Sequence, residues 1–184
     1  MKKIIILFSG EGSNMAQIIK HIHNKHANIV CTITNNPCAG GIAIAKAANI
    51  PVLICDNTLY PNREEYDTAL VQLIQEHTPD LVVLAGFMRI LTPVFTRCVA
   101  SINLHPSLLP AYKGARAIQR SFEGDELLCG VSVHWVSDEL DGGEIILQKS
   151  FMKNPKDSLE EFTAKIRAIE YEILPQAIVK ILEN

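Results

Sequence analysis

Asparagine and histidine stand two residues apart at the end of an apolar run, in Ile102-Asn103-Leu104-His105-Pro106-Ser107-Leu108-Leu109-Pro110. In an extended segment residues i and i+2 point to one side, so Asn103 and His105 face the same space. Pro106 favours an extended conformation at His105. Histidine titrates near neutrality and moves protons at a reacting centre. Asparagine offers a neutral amide donor to an oxygen that turns negative in a tetrahedral intermediate. A carboxylate beside the histidine stabilises its charged form and raises its pKa. Asp141, in the turn Asp138-Glu139-Leu140-Asp141-Gly142-Gly143, is the expected partner, and the two glycines are expected to let the backbone turn sharply. Ser107 lies nearby without the strained elbow of a serine nucleophile. The chemistry expected of Asn103, His105 and Asp141 is therefore direct acyl transfer, with no covalent enzyme intermediate. The plainer alternative is a strand-end asparagine beside a core histidine.

A second polar loop, Ser9-Gly10-Glu11-Gly12-Ser13-Asn14, follows the first apolar run. Free amides at a helix N-terminus favour an anion. The third glycine of a dinucleotide fingerprint is replaced by Met15, and Thr34-Asn35-Asn36 supplies no acid for a ribose. A single phosphate monoester suits the loop better than a pyrophosphate. The simpler reading is a tight turn with Ser13 or Asn14 as N-cap.

The elements that must position these residues alternate in kind. Strands are expected at 4–8, 29–34, 51–55, 81–85 and 99–104, with helices from about Asn14, over 43–49 and over 64–77. That order implies an α/β, Rossmann-like, doubly wound and mostly parallel sheet with helices on both faces. Strands at 130–136 and 144–148 add a hairpin-like extension near the C-terminus. A final helix starts at Ser158 with Glu161 completing a capping box. Leu159, Phe162, Ile166, Ile169 and Ile173 mark its buried stripe, and Pro175 is expected to bend or split it. His134 falls on the inward side of its strand, as either a structural histidine or a helper of the reaction centre. Arg89 follows the fourth strand, where ligands gather.

One domain over residues 1–184 is expected, since 48% hydrophobic residues supply a full core and 20% charged residues exclude a disordered chain. A net charge of −3 argues against a nucleic-acid surface. No apolar run approaches a membrane span. Five scattered cysteines without a C-x-x-C pair suit a reduced, cytoplasmic chain rather than a disulfide or metal framework. His21, His23 and His26 belong to a solvated helix face, so no metal is expected.

Five stretches in order resemble the folate-dependent formyltransferases: residues 9–14, 85–91, 103–110, 130–134 and 138–143. The resemblance covers essentially the whole chain, and its opening loop and length point to the branch that acts on glycinamide ribonucleotide. It implies that Asn103, His105 and Asp141 form the catalytic triad. It implies that Gly12, Ser13, Asn14 and Glu170 hold the ribotide. Arg63, Met88, Arg89, Ile90, Leu91, Asn103, Ser137, Asp138, Glu139, Leu140 and Asp141 would line the folate site. The implied co-substrate is 10-formyltetrahydrofolate, the implied acceptor is the amine of glycinamide ribonucleotide, and the implied state is a monomer or homodimer. Gly114–Arg120 departs from the branch pattern, with Ile118 where a histidine usually stands. A sugar-nucleotide N-formyltransferase, a formyltetrahydrofolate deformylase and a non-catalytic folate- or phosphate-binding protein remain as alternatives.

Overall fold

A computed structural model describes residues 1–183. Five parallel strands, β1 (Lys2–Phe8), β2 (Ala27–Thr34), β3 (Val52–Ile54), β4 (Leu81–Leu84) and β5 (Ser101–His105), are followed by β6 (Leu128–Trp135) and β7 (Ile145–Met152). They form one sheet in the order β3-β2-β1-β4-β5-β6-β7, in which β6 alone runs antiparallel, against both β5 and β7. The α/β, mostly parallel class expected from the alternation is the one observed.

β1 shows why the centre of the sheet forms where it does. Ile4, Ile5, Ile6, Leu7 and Phe8 are all fully buried. Ile4, Ile6 and Phe8 join one apolar cluster, whereas Ile5 and Leu7 join the other. A strand covered on both faces needs apolar residues at every position, and each such side chain contributes about 1.5–3 kcal/mol of burial. The first face is covered by α1 (Ser13–Ile22), α2 (Gly41–Ala47) and α6 (Leu159–Leu182), through Met15, Ile18, Ala45, Phe162 and Ile166. The second is covered by α3 (Arg63–Gln75) and the short α4 (Pro93–Thr96), through Tyr66, Leu70 and Phe95. The remaining helix is α5 (Ala117–Glu123).

Ser158 and Glu161 form the capping box at the start of α6. Leu159 does not join the buried stripe expected of this helix, and Pro175 does not split it. Leu159 is 42% exposed, because it lies in the first turn before the helix reaches the core. The helix also runs unbroken through Pro175, which is itself buried. Packing of Ile173, Leu174, Ala177 and Ile178 around it overrides the missing N–H. The strand expected at 144–148 extends to Met152, where Leu128 pairs with it.

The chain winds outward from β1 to β3, then returns to β4 on the other side of β1. The carboxyl ends of β1 and β4 therefore border the crevice where open α/β sheets bind ligands.

Candidate active site

Gly12 closes the loop after β1 at φ 78° and precedes α1 as its N-cap, with no side-chain capping bond. A Cβ there would lie 2.8 Å from the Gly41 Cα, so the position needs glycine for both conformation and space. The simpler alternative, a Ser13 or Asn14 cap, is not what forms: Gly12 takes the N-cap position and Ser13 opens the helix. Gly12, Ser13, Asn14 and Glu170 line one cavity of about 770 Å³. Asn14 Nδ2 donates to Glu170 Oε2 at 3.1 Å. The buried Asn14 Oδ1 has no hydrogen-bond partner among the described residues. Arg167, Asn35 and Asn36 also line this cavity and were not singled out from the sequence.

Burial pushes the Glu170 carboxyl above its ordinary range, against the Asn14 hydrogen bond and the nearby Arg167. A raised folded-state pKa gives a contribution present at low pH and lost as pH rises through it. Glu170→Gln should therefore raise the melting temperature at pH 7, by about 2–4 °C for each kcal/mol relieved. The gain should fade towards about pH 4, where the carboxyl is protonated in both states. Thermal melts at the two pH values check the sign.

The second cavity, of about 410 Å³, is lined by Asn103, His105 and Asp141, by Met88, Arg89, Ile90 and Leu91, and by Ser137, Asp138, Glu139 and Leu140. Arg63, the first residue of α3, lines neither cavity. Gly86, Met88, Leu104 and Pro106 border both, so the two spaces meet at the ends of β4 and β5.

Cross-strand register builds the centre. Asn103 on β5 lies opposite His134 on β6, and His105 lies opposite Ser132. Asn103 Nδ2 is 3.3 Å from His134 Nε2. His134 Nδ1 lies 2.9 Å from the Trp135 carbonyl, an atom that only accepts, so Nδ1 carries a proton. His105 Nε2 faces the Tyr112 carbonyl at 2.8 Å and carries a proton by the same reasoning.

Asp141 sits between the two imidazoles, with Oδ2 3.3 Å from His105 Nδ1 and Oδ1 3.6 Å from His134 Nε2. The Gly114 N–H donates to Oδ2 at 2.8 Å. The turn is held from outside by Arg97, which donates twice to Asp138, and by Lys113 paired with Glu139 at 2.7 Å. Its left-handed residue is Asp141 itself, at φ 50°, rather than either glycine. Gly143 serves instead by close approach, since a Cβ there would meet the Trp135 carbonyl oxygen at 1.7 Å.

The electrostatics correct the expectation that Asp141 holds His105 protonated. His105 is 5% exposed. Burial lowers its pKa below the ordinary value, outweighing the Tyr112 carbonyl and Asp141, which both raise it. Burial pushes Asp141 upward, yet the adjacent His134 ring, the Gly114 N–H and the charge of His105 leave its pKa lowered overall. At neutral pH the pair is thus an ionised carboxylate beside a largely neutral ring. Such a ring can take up a proton and, once charged, finds an anion waiting at Nδ1.

Among the described residues no group of three or more His, Cys, Asp and Glu side chains could hold a metal ion. No helix among the described residues is long and apolar enough to cross a membrane.

A family model described as formyl transferase matches residues 2–178. The phosphoribosylglycinamide formyltransferase of Haemophilus influenzae is 43% identical over 97% of this chain and 86% of its own length. The trifunctional purine biosynthetic protein adenosine-3 of Bos taurus is 35% identical over 96% of this chain, which spans only 18% of that longer protein. Among solved structures, the phosphoribosylglycinamide formyltransferase of Campylobacter jejuni superposes with a TM-score of 0.95 at 51% identity, covering 98% of this chain and 97% of that one.

Proposed function

The chain belongs to the formyl transferase family, and from that premise we propose that it transfers a formyl group from 10-formyltetrahydrofolate to the amine of glycinamide ribonucleotide in purine biosynthesis. The observation that carries the reading is that the cavity holding Asn103, His105 and Asp141 adjoins a second one, lined by Gly12, Ser13, Asn14 and Glu170, across Gly86, Met88, Leu104 and Pro106. The mainly apolar cavity suits the flat ring of a folate, with Met88, Arg89, Ile90 and Leu91 along one wall and Ser137–Asp141 along the other. The larger cavity suits a ribotide, with the amides of Gly12, Ser13 and Asn14 on its phosphate and Glu170 on its sugar or amide.

The amine nitrogen attacks the formyl carbon, and the carbonyl electrons move to oxygen. The free N–H of Asn103 Nδ2 donates to that oxyanion. His105, neutral at rest, takes the proton released by the amine, and Asp141 stabilises the imidazolium so formed. The C–N bond to the folate breaks as His105 returns the proton to the departing nitrogen. Formylated ribotide and tetrahydrofolate leave. For His105 to act, substrate must replace the Tyr112 carbonyl now facing Nε2, and the ring proton must shift to Nδ1, where Asp141 accepts its hydrogen bond, leaving Nε2 free to take the amine proton.

Incubation with 10-formyltetrahydrofolate and glycinamide ribonucleotide should yield tetrahydrofolate and formylated ribotide in equal amounts. Thermal stabilisation by the ribotide, and none by sugar nucleotides, should accompany it. Turnover with an amino-sugar nucleotide, or release of formate to water as the main course, would overturn the acceptor assignment. Absence of any turnover would favour a binding protein.

A further inference from the structure

Asp67 is a buried carboxylate with no part in the chemistry above. It is 1% exposed on the inner side of α3 and makes no ion pair among the described residues. Burying such a group costs free energy unless its oxygens are well bonded. One oxygen, Oδ2, accepts the Thr92 backbone N–H at 2.6 Å and the Thr92 hydroxyl at 2.7 Å. Thr92 is the N-cap of α4, yet its hydroxyl is spent on Asp67 instead of on its own helix.

Thr92 ends an irregular segment that begins at Gly86 and forms one wall of the smaller cavity. That segment is held at two further points. Ser9 Oγ accepts the Met88 N–H at 2.8 Å, and the Arg89 guanidinium lies 5.5 Å from the Tyr66 ring centroid. Its backbone is thus pinned, while Met88 and Ile90 stay 78% and 55% exposed. Apolar side chains displayed on an immobilised backbone form a face prepared for a ligand.

We infer that Asp67 is a positioning residue for the folate donor: through Thr92 it sets where the 86–91 wall stands, without touching the ligand. The inference rests on the donor reading above.

The test combines steady-state kinetics with amide exchange of the unliganded protein. Asp67→Ala should raise the KM for 10-formyltetrahydrofolate by roughly tenfold, the part of two lost hydrogen bonds that reaches the ligand through the displaced wall. The KM for the ribotide should stay near native. Exchange should quicken at the Met88 to Thr92 amides. Asp67→Asn keeps an acceptor oxygen and should restore most of the donor KM. If Asp67→Ala does not fold, Thr92→Val removes one of the two bonds and Thr92→Ser restores it, and the same split is expected. Native donor KM in a folded Asp67→Ala, or equal rises in both KM values, overturns the inference. Quicker exchange with an unchanged donor KM overturns it as well. Wild-type protein that does not use the folate donor overturns the donor reading instead.

Discussion

Replacing His105 with alanine should lower turnover by about 10²–10⁴-fold, the contribution of a positioned general acid–base group. The structure gives the reason for so large an effect from one side chain. The ring is buried between the Tyr112 carbonyl and Asp141, so solvent has little access with which to replace it. Asn103 remains in the variant and keeps the oxyanion stabilisation, so some catalysis survives. On the proposed mechanism the loss falls on kcat, because the ring moves the reacting proton and does not serve to hold either substrate. Fold retention should be checked by circular dichroism and thermal melting. A folded His105→Ala protein with near-native kcat would remove His105 from the reaction.

Asp141→Asn should lower turnover by about 10–10²-fold, the range for losing a hydrogen-bonding partner of a charged group. Its more telling effect is on pH dependence. The Asp141 charge raises the His105 pKa, although burial holds that pKa below the ordinary value overall. Removing the charge lets it fall further. The working ring is neutral at rest, so activity is lost as pH falls through the His105 pKa. The acid limb of the pH–rate profile should therefore move to lower pH. An acid limb that stays in place would separate Asp141 from His105. An alkaline limb moving instead would mean that the resting ring is charged. The amide oxygen introduced by Asp141→Asn would still accept the Gly114 N–H, so the turn should keep its shape in this variant.

How much of this was legible in the sequence depends on the range over which each property is decided. The apolar run Ile4–Phe8 specified a central strand because every position had to suit a buried face. The capping box of Ser158 and Glu161 was readable because it closes within one turn. Asn103 and His105 could be placed on one side because strand alternation is local. Asp141 lies 36 residues beyond His105, and its approach requires β6 and a left-handed residue that no local rule identifies. The direction of the His105 shift escapes the sequence for a related reason. A neighbouring carboxylate can be anticipated from residue types, whereas burial is a property of the assembled cavity. His134 gained its place opposite Asn103 from strand register. Asp67 gave no signal, because an acidic residue in a helix ordinarily faces water. Short helices at 93–96 and 117–123 lack the two or more turns over which an apolar period can be recognised.

The strand order also bears on how the chain first assembles. β1 occupies the middle of the sheet, bordered by residues 27–34 on one edge and 81–84 on the other. During synthesis its second edge stays open until the chain has emerged past Leu84. Until then an all-apolar strand has an unpaired backbone on one side, the kind of surface chaperones recognise and aggregates recruit. The β6–β7 hairpin, by contrast, closes over a short loop and pairs cheaply. The rate of acquiring the native state should thus be governed by closing the distant β1–β4 contact, with the local hairpin adding little delay.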